Sequence, residues 1–412
     1  MKNKNSIKNR IKKPFRRFFK SESSSGILLV LCAILAIVIA NSGIAESYNH
    51  LLNSEVTIGY KDFSISMSVL HWINDGLMAI FFFVVGMEIK REVAIGELKS
   101  FKKTILPISA AIGGMIAPAI IYSLFNYNHS TITGWGIPMA TDIAFALGVL
   151  TLVGKKAPKG IVVFLTALAI VDDLGAIIVV AVFYNSNISW IALLLGGIIF
   201  GLLILANRLK VKSTAVYISL GVILWFCLLK SGVHATIAGV LLGMALPVGK
   251  NIEEYETTIA YNLENKLTPI SSYFIMPIFA LANSAITIEL HGFSSRLFSP
   301  VSLGIICGLF LGKQIGIFLT SYIMVKLKIA RLPAKVTKRH LYGASVLGGI
   351  GFTMSIFVTS LSFTDNMTLS TAKISIITAS ILSAIFGAIV FKIIDIKSKK
   401  PVITKKQLQR VE

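Results

Sequence analysis

Two aspartates stand side by side in the run Leu168–Ala176, LAIVDDLGA, with no other charge in Gly160–Ile170 before them or in Ala176–Phe183 after them. A carboxylate in such surroundings is costly unless it is paired, protonated or bound to a cation. Neighbours on a helix point about 100° apart, given 3.6 residues per turn. Asp172 and Asp173 can therefore face one interior space while meeting different partners, and two carboxylates so close resist ionising together. Such a pair can exchange a proton for a hard cation near neutral pH. Its oxygen ligands suit a small alkali ion, whereas a soft metal would want Cys or His.

Few other charges share these surroundings. Asp142 and Lys313 fall near the middles of two further apolar runs, and Asp75 in the first half of another, whose far end carries Glu88, Lys90, Arg91 and Glu92. Ionisable residues at membrane depth are rare and usually mark ion pathways or proton relays. The plainer alternative for Asp172 and Lys313 is a structural ion pair locking two helices, and it is compatible with a functional role. The sequences PMATDIAFALG (138–148) and LGGIGFTMSIF (347–357) place a proline beside Thr141-Asp142, and glycines including Gly349 and Gly351 beside Thr353, inside apolar runs. Interrupted helices in matching places of two halves often line a transporter's binding cavity, although glycines also serve close helix packing. If the two broken helices cross, Asp142 offsets paired positive half-helix ends and Lys313 the negative ones.

The elements that must position these groups are membrane spans. Of 412 residues, 55% are hydrophobic and 14% charged, against about 25% charged in soluble chains, and the mean hydropathy is +0.78. The apolar excess falls in blocks of about 20 residues, the length that crosses a bilayer as a helix. Twelve spans are expected, near 26–44, 68–90, 104–125, 134–153, 160–184, 188–206, 213–229, 231–248, 267–287, 300–324, 338–361 and 370–394. The net charge of +21 does not indicate nucleic acid, because it sits in short segments between the blocks. Nine Lys and Arg precede the first span, five lie in 90–103, three in 155–159, three in 208–212, six in 326–339 and seven from Lys392 onward. The alternate connections carry Lys61, Lys230, Arg296 and Lys373. By the positive-inside rule both termini are cytoplasmic and the span number is even. The basic N-terminal stretch, residues 1–25, is long for a signal peptide, so an uncleaved first helix is expected. The domain plan is that N-tail, a transporter domain over 26–395 and a basic cytoplasmic C-tail over 396–412. Cys32, Cys227 and Cys307 read as buried hydrophobes. VTIGYKDFSIS (56–66) alternates around a turn and predicts an extracytoplasmic β-hairpin, which a partner subunit could complete by strand pairing.

At this point the residues resemble a known family. ATDIAFALGVL (140–150), ALAIVDDLGAI (167–177), VGMEIKREV (85–93), SGVHATIAGV (231–240), ALANSA (280–285) and GGIGFTMSIF (348–357) are similar to the motifs of the NhaA family of bacterial sodium/proton antiporters, in order along residues 20–390. The resemblance implies an all-α integral membrane protein of twelve transmembrane helices. It also implies inverted repeats and crossed, interrupted fourth and eleventh helices. It implies exchange of Na+ or Li+ for H+, two protons per Na+, in the bacterial cytoplasmic membrane, with no cofactor. Asp173 matches the principal cation-binding carboxylate and Asp172 its neighbour, with Thr141 beside the cation. Asp142 and Lys313 match the compensating charges, and Lys313 is also placed to pair with Asp172. Glu88, Arg91 and Glu92 match at the inner mouth, and with Glu264 and His234 they stand where the family's pH response is placed. The connection 251–269 lacks the histidines and basic pair of well-known members, which puts strong alkaline activation in doubt. A homodimer through the 56–66 hairpin, in contact with membrane lipid, is also implied. The expected function is thus secondary transport rather than enzymatic turnover. The alternatives are an ion channel, or an intramembrane aspartyl protease using Asp142 and Asp173.

Overall fold

The computed structural model describes residues 22–59, 64–96, 99, 101–154, 157–185, 188–287 and 293–397. Both basic tails therefore lie almost wholly outside the described residues. Among those described, seven helices are long and apolar enough to cross a membrane: Val69–Ala94, Thr104–Phe125, Lys159–Phe183, Trp190–Arg208, Thr214–Ser231, Pro300–Lys326 and Asn366–Ile396. Three bent pairs bring the number to as many as ten. Helices are required because hydrocarbon offers backbone groups no other partner.

The bent pairs differ in kind. Ser24–Ala40 and Ala45–Asn53 meet at 112°, so the second lies across the first after the turn at Asn41–Gly43. Ser130–Met139 with Ile143–Val153 bends by 45°, and Lys338–Leu347 with Phe352–Ser362 by 44°. These two are the interruptions expected at 138–148 and 347–357. Before the first break the chain runs as a 3₁₀ helix containing Pro138, and Ala140 and Asp142 then adopt extended backbone. The expected spans at 231–248 and 267–287 take other forms. Gly232, in left-handed conformation at φ +81°, ends one helix, and only Thr236–Ala245 follows before Pro247. The other is a helix over 259–283, with Pro269 at its middle followed by a π-helical turn at Ser271–Ile275.

Small residues set the closest contacts. On Pro300–Lys326, Gly304, Gly308, Gly312 and Gly316 recur every four residues and meet the helix Phe101–Phe125. A Cβ on Gly316 would stand 2.0 Å from the Gly113 carbonyl oxygen. Four-residue spacing of small side chains lets membrane helices approach backbone to backbone. Gly239 of Thr236–Ala245 does the same against Val69–Ala94, where a Cβ would lie 2.0 Å from Ala79 O.

Three buried apolar clusters result, the smallest being Val85 and Ile89 with Ile170. The largest packs Met78 and Phe82 with Leu165, Leu168, Ile305, Leu309, Leu347 and Phe357, around both breaks. The second packs Phe83, Val84 and Met87 with Leu203, Tyr217, Leu224, Leu242 and Tyr255. The helix Val69–Ala94 contributes to all three. Outside them, strands β1 (Glu55–Ile58) and β2 (Ile65–Ser68) pair antiparallel, with Val56 opposite Met67 and Ile58 opposite Ile65. Residues 60–63 of the expected hairpin lie outside the described residues. The Trp72 indole N–H donates to Val56 O at 3.0 Å and ties the sheet to the helix below it.

Replacing Gly316 by Val should lower thermal stability in detergent by about 1–3 kcal/mol or more, as overpacking does. Gly197→Ala, at a position with nothing within 4 Å, should leave stability unchanged or slightly raised; equal losses in both would contradict the packing account.

Candidate functional site

The two breaks meet at Asp142. Its backbone N–H donates to Ile350 O at 2.7 Å, joining the first break to the second. Its carboxylate caps both following half-helices. Oδ1 accepts Phe145 N–H at 3.0 Å, and Oδ2 accepts Thr353 N–H at 3.2 Å together with the Thr353 hydroxyl. A helix start leaves N–H groups without internal partners and carries partial positive charge. One carboxylate therefore serves two helix starts. Gly349 and Gly351 leave room for this crossing: a Cβ on Gly349 would stand 2.6 Å from Leu309 O, and one on Gly351 3.1 Å from Ala140 O.

One residue away, Thr141 Oγ1 lies 2.7 Å from Asp172 Oδ2 and 3.0 Å from Gly348 O. Lys313 Nζ donates to the same Asp172 oxygen at 2.6 Å. Among the described residues this is the only ion pair with both side chains fully buried. Lys313 follows a π-helical turn at Gly308–Gly312, a device common at functional positions. Gly114 on the facing helix sits beside its stem, 3.7 Å from Lys313 Cδ to an added Cβ. At the second break the carbonyl of Gly348 is hydrogen-bonded by the Thr141 hydroxyl, while the Lys313 ammonium is engaged by Asp172.

Asp173 faces elsewhere. It is buried, and among the described residues its Oδ1 has no hydrogen-bond partner. It lines a cavity of about 100 Å³ together with Glu88, Thr141, Asp142, Thr268, Ser271 and Ser272. The structure thus gathers Asp172, Asp173, Thr141, Asp142, Lys313, Gly349 and Gly351 into one region, with Glu88 across the cavity. Among the described residues, no group of three or more His, Cys, Asp or Glu is placed to hold a metal ion.

A second polar cluster joins the Val69–Ala94 helix to the 251–269 segment. The Arg91 guanidinium pairs with Glu264 and, at 3.0 Å, with Glu92. The other Glu264 oxygen accepts the Tyr255 hydroxyl. Burial, and then the neighbouring Glu264 carboxylate, push the Tyr255 phenol well above its ordinary value. His234 does not join this cluster. It lies beyond the end of Thr214–Ser231, and its Nε2 stands 2.6 Å from Tyr184 O at the end of the aspartate helix. Two site residues had no assigned role in the sequence: Thr353, visible only as a polar residue after the glycines, and Tyr255, which carried no signal.

Crossed, interrupted helices around a buried carboxylate–ammonium pair, within a bundle of long apolar helices, define a multi-span membrane transporter of the broken-helix kind. The family described as "Na+/H+ antiporter 1" matches residues 16–391. The chain is 72% identical over 97% of its length to the whole of Na(+)/H(+) antiporter NhaA 1 of Clostridium beijerinckii. It is 46% identical over 94% of its length to 95% of Na(+)/H(+) antiporter NhaA of Oleidesulfovibrio alaskensis. To the Vibrio cholerae protein of that name it is 48% identical, over 90% of this chain and 95% of that one. The chain belongs to the NhaA Na+/H+ antiporter family, whose members are transporters and not enzymes. The protease alternative meets a further obstacle, since both Asp142 oxygens already cap helices.

Lys313→Ala should cost about 3–5 kcal/mol, because it strands a buried carboxylate. Replacing the pair together, Lys313→Met with Asp172→Leu, should cost clearly less. Thermal unfolding of the two variants decides this, and equal losses would argue against the pair.

Proposed function

We propose that this chain exchanges Na+ or Li+ for H+ across the bacterial cytoplasmic membrane, with cation and protons competing for Asp172 and Asp173. The observation that carries the reading is the different fate of two adjacent carboxylates. Asp172 is held through Oδ2 by Lys313 and Thr141, its Oδ1 being unpartnered among the described residues, whereas Asp173 lines the cavity and, among the described residues, has no ion pair. An unpaired buried carboxylate is costly when ionised, so Asp173 holds a proton or a cation. Its oxygens suit a hard alkali ion. Thr141 stands at the cavity wall beside it, and Asp142 and Lys313 compensate the charges of the crossed half-helices.

Two protons exchanged per Na+ would move net charge, worth about 2.3 kcal/mol per charge per 100 mV. The second proton is assigned to the Asp172–Lys313 pair. Change of access is a rocking of the unit that carries the crossing against the unit beyond Val69–Ala94. The near-equal bends of the two broken pairs favour an inverted repeat. With Thr236–Ala245 and the 259–283 helix as further spans, twelve helices and two cytoplasmic termini follow from the basic connections. Glu88, Arg91, Glu92 and Glu264 are assigned to the inner mouth and pH response, and His234 to a separate contribution. Strand pairing by β1 and β2 would join two subunits of a homodimer, in contact with membrane lipid.

Asp173→Asn should abolish Na+-driven proton movement in inverted vesicles while the protein stays folded, and retained exchange would overturn the assignment. Asp172→Asn should cut turnover severely. Residual exchange that no longer responds to the membrane potential would place the second proton on the Asp172–Lys313 pair. A pH-resolved flux assay with Na+, Li+ and K+, at clamped and free potential, reads all of these.

A further inference from the structure

The cavity in front of Asp173 has two walls of different origin. On one side stand Asp173, Thr141 and Asp142; on the other stand Thr268, Ser271 and Ser272 of the 259–283 helix, with Glu88 of Val69–Ala94 beside them. Asp173 is buried, and among the described residues its Oδ1 has no partner. Residues 268, 271 and 272 are spaced i, i+3 and i+4, so their side chains share one face of their helix. Glu264 stands on that face one turn earlier and Met276 one turn later. The face thus runs from the charged cluster around Arg91 to an apolar end, and hydroxyls occupy the stretch that meets the cavity.

The same stretch is where the helix is irregular. Pro269 has no N–H for the carbonyl one turn back, and a π-helical turn follows at Ser271–Ile275. The helix also changes partners here. Leu267 packs with the second apolar cluster, whereas Ile275 and Phe279 belong to the largest. Arg91 ties Glu264 to Val69–Ala94, so the hydroxyl-bearing turn starts from the side away from the helix crossing. Glu88 and Glu264 also lie toward the basic 90–103 connection, which the positive-inside rule puts in the cytoplasm.

Resting on the antiport reading above, we propose that Thr268, Ser271 and Ser272 are cation ligands of the cytoplasm-facing state, completing around Na+ or Li+ the oxygen shell that Asp173 and Thr141 begin. A cavity of about 100 Å³ has room for an ion with only a few of its waters, so oxygens of the wall replace the others. Hydroxyl oxygens are hard donors that suit a small alkali ion. Being neutral, they add affinity in smaller steps than a further carboxylate would, and a transported ion has to leave as well as enter. When the crossing moves against Val69–Ala94, Asp173 and Thr141 carry the ion with them and the hydroxyl wall is left behind. The wall therefore sets affinity on one face of the membrane only. Hydroxyls in helices also bond to the carbonyl one turn back, but that role alone makes no difference between the two faces.

The half-saturating Na+ concentration for proton flux, measured from each face with the full-length protein in inverted and right-side-out vesicles, tests this. Inverted vesicles present the cytoplasmic face to added Na+. There Ser271→Ala should raise the half-saturating concentration about five-fold, the ratio one net hydrogen bond supplies. Ser271→Ala combined with Thr268→Val should raise it further, while turnover at saturating Na+ falls much less. In right-side-out vesicles the same variants should differ little from the wild type. Thr268→Ser, which keeps the hydroxyl, should behave as the wild type on both faces. An unchanged value from the cytoplasmic face overturns the proposal, and so does an equal rise from both faces, the mark of a loosened fold. So does a Thr268→Ser variant as impaired as Thr268→Val. If the double variant does not fold, Thr268→Val alone, which keeps the branched shape, decides among these outcomes. Absence of Na+/H+ exchange by the wild type would instead sink the antiport reading, whereas intact exchange without a sided shift sinks the hydroxyl wall alone.

Discussion

One carboxylate holds the two helix breaks together. Asp142 answers the unpaired N–H groups at the starts of Ile143–Val153 and Phe352–Ser362, and its own N–H reaches Ile350 O. Hydrocarbon supplies no water for such groups, and each unmet one costs several kcal/mol. Two chain segments can therefore stay unwound at membrane depth only while this residue links them. The crossing in turn places Thr141, whose hydroxyl meets the Asp172 oxygen that Lys313 also holds. A residue so committed as Asp142 has both carboxylate oxygens occupied.

Around that knot the molecule packs as two large apolar clusters, and a small third one, that share the helix Val69–Ala94. The cavity before Asp173 lies along this seam. Phe81, Val84, Val85 and Glu88 line it from the shared helix, and Thr268, Ser271 and Met276 line it from the 259–283 helix. A site between packing units can change its exposure with little change inside either, since packed interiors tolerate small distortions poorly. The Arg91–Glu264–Tyr255 cluster joins the shared helix to the 259–283 helix and the short segment before it, so its loosening would act on the wall of the same cavity.

Much of the site was legible in the sequence because its signals are violations of local rules. Charges at Asp142, Asp172, Asp173 and Lys313 stand out against apolar runs, and Pro138 and the 348–351 glycines stand out against helix. The spans that hydropathy predicts at 231–248 and 267–287 are too uniform. Hydropathy averages over Gly232 and over the polar stretch at Glu264–Lys266, where the chain in fact ends one helix and extends another. Spacing likewise could not say which group serves the Gly348 carbonyl. That depends on a hydroxyl from a distant segment, and a threonine in an apolar run gives no sign of its partners. His234 was grouped with Glu264 on motif alone, whereas the turn after Ser231 carries it to Tyr184.

The adjacent aspartates are the last step of the same logic. On one helix, a turn of about 100° between neighbours is enough to give Asp172 an ammonium and a hydroxyl, and Asp173 a cavity. Had the two stood four residues apart on one face, both would have met the same surroundings, and one lysine would have had to serve both. Adjacency instead divides the work. One carboxylate is paired and tied to the helix break, while the other lines the cavity without an ion pair among the described residues. On the proposed reading, the cost of that second charge is what makes it exchangeable, because a buried carboxylate without a counter-charge favours whichever of proton or cation neutralises it.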